Sequence, residues 1–228
     1  MYQGGASYYQ EQADELKSQY GLKKRQYEYY INSIEPKDGQ ELAFESILLF
    51  TECFLEDKKS NGLLLVGGVG SGKTHMAASI VNSIANYKIC QAHDSLTFFD
   101  VQYGANGKFE DKEWLLDSNP VIFTSVVDMF DNLKENWGIK ELRKYQTCNL
   151  LVLDDLGTER PTEWALETLF KIVDYRYNEE LPMIITTNCT PEDLKKHVGD
   201  RIFDRIRSMC ALVPVISSSR RETAKLEF

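Results

Sequence analysis

Gly62-Leu63-Leu64-Leu65-Val66-Gly67-Gly68-Val69-Gly70-Ser71-Gly72-Lys73-Thr74 is the stretch on which the fold turns. A short apolar run without polar alternation predicts a strand buried on both faces, the habit of parallel sheets. The octet from Gly67 to Thr74 matches GxxxxGK[ST], the Walker A loop, and Thr74 to Tyr87 reads as the helix that follows it. Glycines let successive N–H groups turn toward one anion, and the helix N-terminus adds the positive end of its dipole. Gly67, Gly68, Val69, Gly70, Ser71, Gly72, Lys73, Thr74 and the adjoining His75 are therefore the candidate nucleotide-binding residues. Lys73 is expected to reach the β- and γ-phosphates and Thr74 to offer its hydroxyl to Mg2+. ATP and Mg2+ are the ligands this loop implies.

Outward from the loop the pattern repeats. Val121-Ile122-Phe123, Leu150-Leu151-Val152-Leu153 and Met183-Ile184-Ile185-Thr186-Thr187 predict further strands, with Val213 to Ile216 a candidate last one. Val126 to Trp137 and Glu163 to Tyr177 carry helical spacing, the latter with Leu166, Leu169, Phe170 and Val173 on one face. Strands alternating with helices imply right-handed crossovers and an α/β fold whose parallel sheet is covered on both sides. Upstream, Gln40 to Lys58 also fits a helix. Residues 6–31 read in part as an amphipathic, tyrosine-rich helix broken near Gly21 and ended by Pro36-Lys37-Asp38-Gly39. The expected organisation is a short Tyr-rich helical segment over 1–36 and a nucleotide-binding domain over 37–228.

Two further motifs converge on the loop. Leu150 to Leu153 ends in Asp154-Asp155, the Walker B pattern. Ligands gather at the carboxyl ends of strands in such sheets, so these acids are expected beside the phosphates. Asp154 is expected to hold Mg2+ through water and Asp155 to polarise the attacking water. The strand Ile184-Ile185-Thr186-Thr187 delivers Asn188 to the same edge. Asn188 reads either as a sensor that orients the lytic water or as a cap for a helix beginning near Thr190-Pro191-Glu192-Asp193.

Composition narrows the function classes. Of 228 residues, 26 are basic and 35 acidic, a formal net charge of −9. That balance argues against a protein that coats duplex DNA, which needs a dense basic face, and leaves room for a local basic groove. No apolar run approaches the roughly 20 residues of a membrane helix. Met1-Tyr2-Gln3-Gly4-Gly5 lacks the basic and apolar regions of a leader, so a cytoplasmic protein without membrane partners is expected. Cys53, Cys90, Cys148, Cys189 and Cys210 are scattered and read as separate reduced thiols.

Taken together, the Walker A loop, Leu150 to Glu159 (LLVLDDLGTE), Ile185-Thr186-Thr187-Asn188 and Asp200 to Arg207 (DRIFDRIR) make residues 25–228 resemble the DnaC/IstB branch of AAA+ ATPases. The resemblance implies the AAA+ strand order, a reduced C-terminal lid and ATP-bridged oligomers that handle DNA. It implies that Arg205 is an arginine finger reaching a neighbouring subunit's γ-phosphate, and that Arg220, rather than Arg221, is a second sensor. It also implies oligomer-dependent hydrolysis of ATP, a replicative helicase as partner, and single-stranded DNA as the nucleic acid. Three departures stand out. Asp155 stands where many AAA+ proteins have glutamate, one methylene longer, although Asp-Asp is frequent in this branch, and slow intrinsic hydrolysis is expected from it. Ala92 to Pro120 forms a long connection with hairpin character, around Gly104-Ala105-Asn106-Gly107. Little sequence precedes residue 25, where helicase loaders usually carry a helicase-binding region.

Competing readings share parts of this site. An IstB-like transposition ATPase would use every nucleotide-site residue. A P-loop small-molecule kinase would need an acceptor pocket and no trans-acting arginine. An ATP-gated interaction module would bind nucleotide and scarcely hydrolyse it. For DNA contact, Lys134, Trp137, Lys140, Arg143 and Lys144 combine backbone-tracking charge with an aromatic; the same residues also read as an ordinary amphipathic helix.

Overall fold

The computed structural model describes residues 4–36, 39–92, 121–136 and 138–216. Five strands, β1 Gly62–Val66, β2 Val121–Ser125, β3 Leu150–Asp154, β4 Met183–Thr187 and β5 Cys210–Pro214, form one sheet in the order β2-β3-β4-β1-β5. Every pairing is parallel. The helices are α1 Gly4–Gln19, α2 Glu41–Leu55, α3 Lys73–Ala92, α4 Val126–Glu135, α5 Ile139–Thr147, α6 Glu163–Asn178, α7 Pro191–Val198 and α8 Asp200–Met209. This is the AAA+ P-loop NTPase fold expected from the sequence.

Strand residues alternate between two cores, as the pleat requires. Leu63, Leu65, Val152 and Ile184 join the apolar faces of α2 and α3 on one side. Leu64, Leu151, Leu153 and Ile185 join α4, α6, α7 and α8 on the other. The central strands are apolar throughout because both faces are covered. The N-terminal segment shares the first core through Tyr20, Leu22, Ile31 and Ile34. Its Tyr20 carbonyl accepts the Phe123 N–H at 2.7 Å, which partners a donor of the edge strand β2.

Several helix starts are set by side-chain caps. Ser125 Oγ accepts from the Asp128 N–H, Thr162 Oγ1 from Ala165, and Thr190 Oγ1 from Asp193, with Pro191 in the first turn of α7. Buried Arg176 staples the far end of the sheet. It donates to the carbonyls of Tyr145, Gln146, Cys148 and Pro182 at 2.6–3.2 Å.

Some boundaries differ from the sequence reading. The last strand starts at Cys210 rather than Val213, because pairing of Gly62 with Cys210 extends the ladder into less apolar sequence. The first helix stops at Gln19, and Lys24–Gln26 and Ile31–Ser33 are single 3-10 turns. The hairpin expected after Ala92, Cys90's side chain, Trp137 and the C-terminal lid region with Arg220 and Arg221 lie outside the described residues.

A candidate nucleotide site at the carboxyl edge of the sheet

Strand register brings the motifs together. Val66 pairs with Thr187 and Leu65 with Thr186. Ser125 pairs with Asp154, and Leu153 with Ile185, so β1, β3 and β4 end at one edge. A cavity of about 320 Å³ opens there, lined by Val69, Gly70, Gly72, Lys73, Thr74, His75, Asp154, Asp155 and Asn188. Gly67, Gly68 and Ser71 complete the loop. Gly70 and Gly72 sit at φ +80° and +103°, where a Cβ is strained, so the loop's curvature depends on them.

Lys73 is 4% exposed. Its ammonium donates to the carbonyls of Gly67 and Gly68 and to Asn188 Oδ1, each at 2.8 Å. Asn188 extends its amide nitrogen to Asp155 Oδ1 at 3.4 Å. Asn188 is thus a member of the site, and the capping role belongs to Thr190. Thr74 Oγ1 donates to Asp154 Oδ1 at 2.9 Å. The Asp154 carboxyl is pushed above the ordinary carboxylate range by burial; hydrogen bonds from Thr186 and Thr74 and the charge of Lys73 oppose the shift. Asp155 stands at φ +58°, a conformation that costs an L-residue roughly 1–2 kcal/mol. Backbone strain of this kind gathers at functional sites.

Whether Mg2+ fits can be judged from the donors. Thr74 Oγ1 and Asp154 Oδ1 are hard oxygens side by side on the cavity wall. Mg2+ is commonly held by one or two such protein groups together with water and phosphate oxygens. The donor set fits Mg2+.

Arg205 lies elsewhere. Its Nε donates to Asp174 Oδ1 at 2.6 Å and its guanidinium stacks on Phe170, 4.8 Å from the ring centroid. This contact joins α8 to α6. Neither Asp174 nor Phe170 lines the nucleotide cavity. On α4 and α5, Lys134 pairs with Asp131 and lies over Trp164, and Lys144 pairs with Glu141.

Sequence reasoning missed one wall of the cavity. Arg25, Gln26 and Tyr29 line it, with Tyr29 stacked on His75 at 4.1 Å. Buried Asn82 holds this wall by donating to the Gln26 and Tyr29 carbonyls at 2.7 and 2.8 Å. The available signal was a run of polar residues, Ser79, Asn82, Ser83 and Asn86, on a buried helix.

Residues 117–227 match the family model described as IstB-like ATP binding protein. Over this span the chain is similar to IstB-like ATP binding proteins. The matched span holds Asp154, Asp155, Asn188 and Arg205, and the Walker A loop precedes it. Among curated relatives, the phage-like element PBSX protein XkdC of Bacillus subtilis (strain 168) is 26% identical over 77% of this chain and 56% of its own length. The replicative helicase loader DnaI of the same organism is 24% identical over 91% of this chain and 65% of its own. The chain therefore spans between about half and two thirds of these relatives. A crystal structure of the DnaC helicase loader superposes with a TM-score of 0.59 at 28% identity, covering 84% of this chain and 99% of that one. No helix among the described residues is long and apolar enough to cross a membrane.

Proposed function

We propose that the chain binds Mg-ATP in this cavity, hydrolyses it slowly as an oligomer, and serves to place a replicative helicase on single-stranded DNA. The observation that carries the ATPase part is the convergence of Lys73, Thr74, Asp154, Asp155 and Asn188 on one cavity. Lys73 would trade its loop carbonyls for phosphate oxygens, a stronger, charge-assisted partner. Thr74 and Asp154 would hold Mg2+, which supplies charge neutralisation on the phosphates. Asp155 would accept a proton from the attacking water, which Asn188 would orient. Tyr29 offers an aromatic face to the nucleotide's base.

Arg205 would act on the γ-phosphate of a neighbouring copy, a role supported by its place on α8 among residues that do not line its own cavity. Arg220 would be the second sensor. Single-stranded DNA would follow α5, where Lys140 and Arg143 are exposed. The helicase as partner is supported by the loaders among the relatives. The test is capture of a purified hexameric replicative helicase by the tagged chain with ATP or with ADP. ATP-dependent capture is expected; capture of a transposase subunit in its place would keep the ATP site and move the function to transposition.

A further inference from the structure

Thr186 is wholly buried near the end of β4, after Met183-Ile184-Ile185. A hydroxyl in such a place needs partners, and it has two. Oγ1 donates to Asp154 Oδ1 at 2.7 Å and accepts the Asp155 N–H at 2.9 Å. One atom thus touches the carboxylate of the first acid and the backbone of the second. Neighbouring bonds extend the grip: Leu156 N–H donates to the Thr186 carbonyl at 2.9 Å, and Thr187 Oγ1 donates to the Leu156 carbonyl at 2.7 Å. The exit of β3 is bound to β4 over three successive residues, and the residue in the middle of the reach, Asp155, is the one at positive φ.

We infer that Thr186 is a positioning residue for the Walker B pair: its hydroxyl fixes the Asp154 carboxylate beside Thr74 and holds Asp155 in its left-handed conformation beside Asn188. The inference rests on reading the site as an Mg-ATPase. Fixing the first carboxylate matters for the Mg2+-dependent part of nucleotide binding, and fixing the second matters for turnover. A valine has the shape of threonine without the hydroxyl, whereas a serine keeps the hydroxyl without the methyl.

The experiment compares the full chain with Thr186→Val, Thr186→Ala and Thr186→Ser. Affinity for a fluorescent ATP analogue is measured in EDTA and across an Mg2+ titration, phosphate release at saturating Mg2+, and folding by thermal melting. In EDTA all four proteins are expected to bind alike. Thr186→Val is expected to need about tenfold more Mg2+ for half of the affinity gain and to turn over about tenfold or more slowly, the scale of a lost hydrogen bond to a charged group. Thr186→Ser should stay within about threefold of the parent on both measures. If Thr186→Val melts early, Thr186→Ala provides the same comparison. Parent-like Mg2+ dependence and turnover in the folded hydroxyl-less variants would overturn the inference. So would a folded Thr186→Ser as impaired as Thr186→Val, since the methyl would then be what matters. A parent that binds nucleotide without any response to Mg2+ would instead contradict the underlying ATPase reading.

Discussion

Lys73 and Asn188 meet at the mouth of the cavity, Nζ donating to Oδ1 at 2.8 Å across 115 residues of sequence. Because the lysine takes the amide oxygen, the amide nitrogen is left to face Asp155 Oδ1. The proposed phosphate-binding cation and the candidate base are thereby joined through one side chain. This geometry separates the two residues' effects. Lys73→Ala is expected to weaken ATP binding by at least about tenfold, since it removes a charge-assisted contact. Asn188→Ala should leave affinity within a few-fold and lower turnover by about a hundredfold, the scale of a lost transition-state donor. Isothermal titration and phosphate release report the two quantities separately. Tight binding by Lys73→Ala would contradict the site assignment.

Arg205 makes its contacts with Asp174 and Phe170. Arg205→Ala is expected to bind ATP like the parent and to lose about a thousandfold in turnover within the assembled oligomer. Mixed with Asp155→Asn chains, it should regain part of the activity, because each mutant supplies what its neighbour lacks. Absence of recovery at every mixing ratio would rule out action between subunits.

The Asp154 carboxyl is held above its ordinary range chiefly by burial. A raised carboxyl pKa means that the folded state binds the proton more tightly than the unfolded state. The protonated form is then the one folding favours, and stability falls as pH rises from the unfolded pKa through the folded one. Asp154→Asn, which removes the buried charge and keeps Oδ1 as an acceptor, is expected to raise Tm at pH 7 in the absence of nucleotide and Mg2+. The gain should shrink as pH falls through the raised folded value toward the ordinary carboxylate value of about 4, and be absent below it. Melting curves across pH check this; an increment independent of pH would contradict it.

Arg176 donates to four carbonyls and is fully buried. Replacing it with alanine strands those acceptors, and a loss of about 3 kcal/mol or more is expected in denaturant unfolding. The nucleotide cavity lies at the other end of the strands, so binding of ATP by the folded fraction should be unchanged.

The fold was legible because its strands are buried on both faces. Leu63, Leu64 and Leu65 need no alternation when both cores are apolar, and the glycine loop fixes the direction in which the next helix leaves. Lys73, Thr74, Asp154, Asp155 and Asn188 were legible for a related reason: a parallel sheet sends every strand's carboxyl end to one edge, so register alone brings them together. Arg25 and Tyr29 were not. They reach the cavity through the packing of the N-terminal segment on α3, a long-range contact that leaves no local period. The contact of Arg205 with Asp174 escaped for the same reason, since only the docking of α8 on α6 brings the two side chains together.

The most direct measurement is of ATP binding and phosphate release, side by side, for the parent and Asp155→Asn. The parent is expected to hydrolyse Mg-ATP slowly, and Asp155→Asn to bind it with parental affinity while releasing phosphate at least about a hundredfold more slowly. Equal turnover in the two proteins would remove Asp155 from the reaction and contradict the site's reading as an ATPase.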